Sequence, residues 1–259
     1  MASAGNRTEA IAESLSYQVR AWRKLAAPEV RAVLRRSTFA GEPPYDDFGG
    51  LNGQSFRART VLNLLHGLPI DAFVETGTFH GVTSALIAAQ TRVPVYTVET
   101  KRRYFLAAQP WRLRFPRRLH MVHADSRSFL GSAVLDGLSM PLFYLDAHWN
   151  DDLPLVGELD IITRRFAEAV VVIDDFKVPG DDDYGYDVYG DSALDMDLIR
   201  PALPAGSVAY FPSVPAVQET GAPISNGQRM KTRGWVVVGW TPAVIAALDA
   251  EPGLRREAV

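Results

Sequence analysis

From residue 71 onward the chain follows one repeating pattern, in which short apolar runs, several closed by an acid, are separated by stretches of helical spacing. The runs are Asp71–Glu75, Val95–Glu99, Leu119–His123, Pro141–Asp146, Ala169–Asp174, Val208–Phe211 and Trp235–Trp240. A strand that is apolar throughout, rather than alternating, is buried on both faces, which is the setting of a parallel sheet covered by helices. Helices are predicted over 54–67, 82–91, 101–109, 127–136, 155–167 and 192–200, completing a βαβ series. The last two runs have no convincing helix between them. The pattern therefore predicts an α/β, doubly wound, mostly parallel sheet of seven strands, closed by an antiparallel hairpin.

Residues 1–60 read differently. Apolar positions at helical spacing (Ile11, Leu15, Val19, Trp22, Leu25) are followed by a Gly/Pro/Asp-rich stretch from Gly41 to Gly53. We expect residues 1–60 to form an N-terminal helical cap or a segment for homo-oligomerisation, and residues 61–259 to form the main domain. Two irregular stretches, 177–191 (acidic and tyrosine-rich) and 212–234, are long enough to expect a role at a site. Both are placed beyond the carboxyl ends of the strands, where open α/β sheets bind ligands.

Composition excludes several chemistries. The chain contains no cysteine, which removes disulfide frameworks, thiolate catalysis and Cys-based zinc sites. The net charge of −3 gives no sign of binding nucleic acid by bulk charge. Basic residues cluster at Arg112, Arg114, Arg117 and Arg118, and a solvated helix end accounts for them. No stretch approaches the roughly 18 apolar residues of a membrane span, and no secretory h-region opens the chain, so a cytoplasmic location without membrane or nucleic-acid partners is expected.

The first run leads into Glu75-Thr76-Gly77-Thr78-Phe79-His80-Gly81, and a helix opens at Val82. This is the strand, glycine turn and helix order of nucleotide sites, with Gly77 permitting close backbone approach and Gly81 permitting helix packing. Glu75 discriminates between ligands, because a carboxylate here would repel a dinucleotide's pyrophosphate. The G-x-G-x-x-G spacing is also missing. S-adenosylmethionine, with an ammonium and a sulfonium, suits an acidic strand end. Glu99 closes the second run 24 residues later and is placed to accept two ribose hydroxyls. Asp125 and Ser126 follow the third run, where an adenine amino group would be bound. The candidate cofactor contacts are Glu75, Gly77, Phe79, Gly81, Thr83, Glu99, Asp125 and Ser126.

The fourth run reads Leu142-Phe143-Tyr144-Leu145-Asp146-Ala147-His148-Trp149, and the fifth reads Val170-Val171-Val172-Ile173-Asp174-Asp175-Phe176. Neighbouring parallel strands would bring Asp146, Asp174 and Asp175 together. Converging carboxylates repel unless a cation lies between them, and hard oxygen donors suit Mg²⁺, or else Mn²⁺ or Ca²⁺. The competing reading is that these acids cap the helices that follow.

Taken together, residues 70–180 resemble the metal-dependent O-methyltransferases of the class I S-adenosylmethionine-dependent, Rossmann-like fold, related to catechol and macrolide-sugar O-methyltransferases. Glu75-x-Gly77-x-x-x-Gly81 is similar to their cofactor motif, Leu145-Asp146-Ala147-His148-Trp149 to their Leu-Asp-His-Trp segment, and Ile173-Asp174-Asp175-Phe176-Lys177-Val178-Pro179-Gly180 to their metal segment. The resemblance implies that Glu75, Gly77, Glu99 and Asp125 hold the cofactor and that Asp146, Asp174 and Asp175 bind the metal. It also implies methyl transfer to a hydroxyl of a small molecule, with natural-product biosynthesis as the setting. The chain departs from the family twice. Ala147 is inserted before His-Trp, and Asn150 stands where the catechol enzymes carry a general-base lysine. His148 is then the leading base, with Asp146 beside it; metal activation alone, or His148 as a ligand or packed residue, are the alternatives. The rival functions are methyl transfer without metal or non-methyl chemistry on the same fold, a nucleotide-dependent oxidoreductase, and a noncatalytic binding module.

Overall fold

The computed structural model describes residues 50–148, 152–220, 224–225, 228–229 and 231–257. The expected cap over residues 1–60 falls outside this range except for residues 50–60. Helix α1 (Ser55–Gly67) opens the described chain, followed by β1 (Ala72–Thr76), α2 (Val82–Gln90), β2 (Val95–Glu99), α3 (Arg102–Arg114), β3 (Leu119–His123) and α4 (Ser126–Leu130). Then come β4 (Pro141–Leu145), α5 (Leu155–Arg165), β5 (Val170–Asp174), α6 (Met196–Ile199), β6 (Val208–Pro212), β7 (Trp235–Gly239), α7 (Pro242–Ala250) and β8 (Leu254–Arg256). All of these strands belong to one sheet in the order β8-β6-β7-β5-β4-β1-β2-β3.

Strands β1 to β5 are parallel, and β7 inserts between β5 and β6, antiparallel to both. The doubly wound, mostly parallel sheet is thus present, with one correction: it has eight strands, not seven. The eighth, β8, pairs antiparallel with β6. Its Leu-Arg-Arg sequence has no apolar run to reveal it, and such charge is how exposed sheet edges are kept from pairing further. Helix α7 was likewise unforeseen, although Thr241 caps it and Pro242 occupies its first turn.

Three helices differ from their predicted spans. Helix α3 runs past Gln109 through Pro110 to Arg114, because Ala108 and Trp111 are buried and the Trp111 indole donates to the His80 carbonyl at 3.1 Å. Helix α4 stops at Leu130, and a separate 3-10 turn covers Ala133–Leu135. Helix α6 is one turn long and passes into a 3-10 turn at Arg200–Ala202, which contains Pro201.

Alternation along the strands divides the core in two. Val74, Phe143, Leu145, Val171 and Ile173 pack with Phe129 of α4 and Leu155, Leu159 and Ile162 of α5. Phe73 and Tyr144 stack on the opposite face, with ring centroids 6.2 Å apart, where α1 lies. Glu219, from the long loop before β7, accepts from the Phe56 and Arg57 N–H groups at 2.8 and 3.3 Å and so caps α1. Since β7 starts with Trp235 opposite Asp174, that loop returns to the carboxyl edge of the sheet.

Candidate active site

The carboxyl edge is crowded at β1 and β4. The Asp146 N–H donates to the Thr76 carbonyl at 3.0 Å, which brings the two strand ends together. Gly77 sits there with φ +85°, and a Cβ on it would lie 2.2 Å from the Asp146 carbonyl oxygen. Glycine is therefore required on two independent grounds. Phe79 adopts φ +48° in the same turn and is 43% exposed, stacked on His80 at 3.9 Å and tilted against Tyr104 at 4.5 Å.

Glu99 closes this turn from β2. Its two oxygens accept from the Phe79 and Lys101 N–H groups at 2.8 and 2.7 Å. Glu75 is buried, and one of its oxygens accepts from both Ser84 and Thr97 hydroxyls at 2.6 Å. Burial outweighs these hydrogen bonds and pushes its carboxyl up to about 7. The Thr83 hydroxyl, on the first turn of α2, accepts from the Leu51 N–H at 2.9 Å. Gly81, at φ +71°, lets that helix meet Ala108 and Trp111 of α3. At the end of β3, Asp125 caps α4 and pairs with Arg127 at 2.8 Å, which holds its carboxyl below the usual range, and Ser126 is buried beside it.

The acids after β4 and β5 form the second half. Leu145 pairs with Ile173, so Asp146 and Asp174 follow at the same level. Asp146, His148 and Asp175 offer ligand atoms that all lie within 4.8 Å of one another. His148, two residues after Asp146, thus joins the group. Its Nε2 is buried, has no hydrogen-bond partner, and stands 3.6 Å from Asp175 Oδ2. Burial lowers the pKa of this imidazole, but Asp175, Asp174 and Asp187 outweigh it and the net shift is upward. Burial, reinforced by Asp174, Asp175 and Glu75, pushes the Asp146 carboxyl well above the carboxylate range. Asp175 moves the other way. Burial raises it, but His148 and Arg233 beside it bring it down to about 2. Its backbone is held at φ +52°, an uncommon conformation for a non-glycine residue.

Asp174 stands outside this group. It is fully buried, pairs with the equally buried Arg57, and accepts from Tyr144 Oη at 2.5 Å and Asn52 Nδ2 at 3.0 Å. Arg57, Tyr144, Asn52 and Arg233 were missed in the sequence. A signal existed only for Arg57, which shares the buried stripe of α1 with Val61, Leu64 and Leu65. Arg233 donates from Nε to Asp175 at 2.5 Å and from Nη2 to Asp187, and the Tyr189 ring stands edge-on to His148 at 6.2 Å. Both irregular stretches therefore contribute to this end of the site.

No protein-family model matches the sequence, and no curated protein aligns with it. Solved structures do. A protein of Klebsiella pneumoniae described as an O-methyltransferase is 16% identical, with a TM-score of 0.51 over 87% of this chain and 96% of its own. The O-methyltransferase of Bacillus cereus, crystallised with S-adenosylhomocysteine, is 14% identical, with a TM-score of 0.52 over 87% of this chain and 97% of its own. At such identities the shared property is the fold alone, the mostly parallel sheet flanked by helices. No helix among the described residues is long and apolar enough to cross a membrane.

Proposed function

We propose that this chain transfers a methyl group from S-adenosylmethionine to a hydroxyl of a small molecule, with a divalent cation held by Asp146, His148 and Asp175. The observation that carries the reading is the juxtaposition of two features at one sheet edge: the glycine turn closed by Glu99, and the Asp-His-Asp group with a buried, unpartnered imidazole nitrogen. An acid displaced upward by burial and like charges, beside a nitrogen with no proton partner, is a donor set that a cation would complete. Mixed carboxylate and imidazole donors suit Mn²⁺ as well as Mg²⁺.

When bound, the cofactor supplies a methyl group on a sulfonium, and the cation supplies positive charge that favours loss of the acceptor's hydroxyl proton. The chain's own residues do the rest. Glu99 is assigned to the ribose hydroxyls and Glu75 to the ammonium, with Gly77 and Phe79 shaping the turn between them. Gly81 and Thr83 set the start of α2, and Asp125 and Ser126 are assigned to the adenine end. Arg233 keeps Asp175 ionised and aimed at the group, while Tyr189 walls it on the acceptor side. Holding the two reactants in line is the main catalytic contribution expected of such a site.

A second reading is favoured by Arg233 itself, which already brings a positive charge to Asp175. On that reading no cation is needed, and His148 Nε2 takes the proton. The experiment uses metal-stripped protein, methyl-labelled S-adenosylmethionine and a panel of phenols and sugars. We expect EDTA to abolish label transfer and Mg²⁺ or Mn²⁺ to restore it. Full transfer by protein shown metal-free by elemental analysis would establish the second reading. Calorimetric binding of NAD in place of S-adenosylmethionine would refute both.

A further inference from the structure

The two adjacent acids at the end of β5 have opposite surroundings. Asp175 directs one oxygen toward His148 and the other to Arg233. Both Asp174 oxygens are fully engaged. Oδ1 accepts from Arg57 Nη1 and from the Asp175 N–H at 2.7 Å; Oδ2 accepts from Tyr144 and Asn52. On the premise of the cation group above, we propose that Asp174 is a positioning residue gripped by Arg57, and that the acids reaching the cation are Asp146 and Asp175.

Arg57 acts on Asp175 by two routes. Through Asp174 Oδ1 it fixes the N–H of a residue that must remain at φ +52°. Its Nη2 also donates to the carbonyls of Arg233 and Gly234, at 2.5 and 3.3 Å, and the side chain of Arg233 holds Asp175 Oδ1. Gln54 reinforces the second route, because its Oε1 accepts from both Arg57 Nη2 and the Arg233 N–H. Were Asp174 to turn toward a cation, Arg57 would lose its hydrogen-bonded anion at a position without solvent access. Separating a buried pair in this way is strongly unfavourable, whereas replacing both partners with neutral groups is often tolerated. The pair therefore behaves as a fixed support under the donor set, and the amide and hydroxyl of Asn52 and Tyr144 complete it.

The test measures Mn²⁺ binding to the metal-stripped full chain by the paramagnetic resonance of free Mn²⁺, without cofactor or acceptor. Asp175→Asn should weaken binding by more than about tenfold, as loss of a ligand requires. The double variant Arg57→Met/Asp174→Asn, which leaves no unpaired buried charge, should bind within about threefold of wild type, because the amide oxygen still accepts the Asp175 N–H and Gln54 still holds the Arg233 backbone through both its N–H and its carbonyl. Arg57→Met/Asp174→Ala removes that acceptor and should weaken binding about tenfold, the scale of a lost outer-shell partner. Thermal melts establish that each variant is folded. A loss in the Asn double variant as deep as that of Asp175→Asn would make Asp174 a ligand and overturn the proposal. Equal affinities for the Asn and Ala double variants would overturn the positioning role. Absence of Mn²⁺ binding by the wild-type protein would remove the cation group itself, and the proposal with it.

Discussion

Glu75 offers a test that needs neither acceptor nor metal. Its carboxyl is pushed from about 4.5 to about 7 on folding, because burial opposes the charge more strongly than the Ser84 and Thr97 hydroxyls support it. The native state therefore holds a proton that the unfolded chain has released between these two values. The stability this contributes is fully present below about pH 4.5 and is lost as pH rises through about 7. At about 1.4 kcal/mol for each tenfold change in proton affinity, the displacement corresponds to about 3 kcal/mol. Glu75→Gln keeps the shape and removes the ionisation. Urea denaturation from pH 4.5 to 8.5 should give a difference between variant and wild type that moves by about 3 kcal/mol in favour of the variant as pH rises. A difference that stays constant across the range would refute the displaced carboxyl. The same group tests the cofactor assignment. If Glu75 ionises to face an ammonium, binding S-adenosylmethionine below pH 7 should release a proton, visible as a dependence of calorimetric heat on buffer ionisation enthalpy.

Three further substitutions follow from the geometry. Glu99→Ala should weaken S-adenosylmethionine binding by about 2–4 kcal/mol, the scale of lost charge-assisted hydrogen bonds, with the fold retained; unchanged affinity in calorimetry would remove the ribose assignment. Gly77→Ala should destabilise the protein by about 2–4 kcal/mol, since its Cβ meets the Asp146 carbonyl at 2.2 Å in addition to the strain of φ +85°. Gly180→Ala, at φ +76° with open space around it, should cost only about 1 kcal/mol, and equal losses for the two would contradict the close approach of β1 and β4.

The parallel sheet was legible because burial on both faces leaves a local trace. Each of the first seven strands except the edge strand β3, whose His120 and His123 are exposed, is an apolar run whose residues need no partner to declare their environment. The glycine turn was legible for a similar reason, since positive φ selects glycine at positions 77 and 81, with backbone close by at the first and side chains at the second. Strand β8 left no such trace, because an edge strand of Leu254, Arg255 and Arg256 is paired by one neighbour and nowhere fully buried. The acids also announced themselves, as carboxylates ending apolar runs, but their division of labour did not. Asp174 and Asp175 are adjacent and chemically identical in sequence. One meets Arg57, 117 residues earlier, and the other meets Arg233, 58 residues later. Which acid is neutralised in the interior and which faces His148 depends on the left-handed backbone at Asp175 and on two arginines brought in by α1 and by the loop before β7. Local pattern determined that charge would collect at this sheet edge; only long-range packing decided where each charge points.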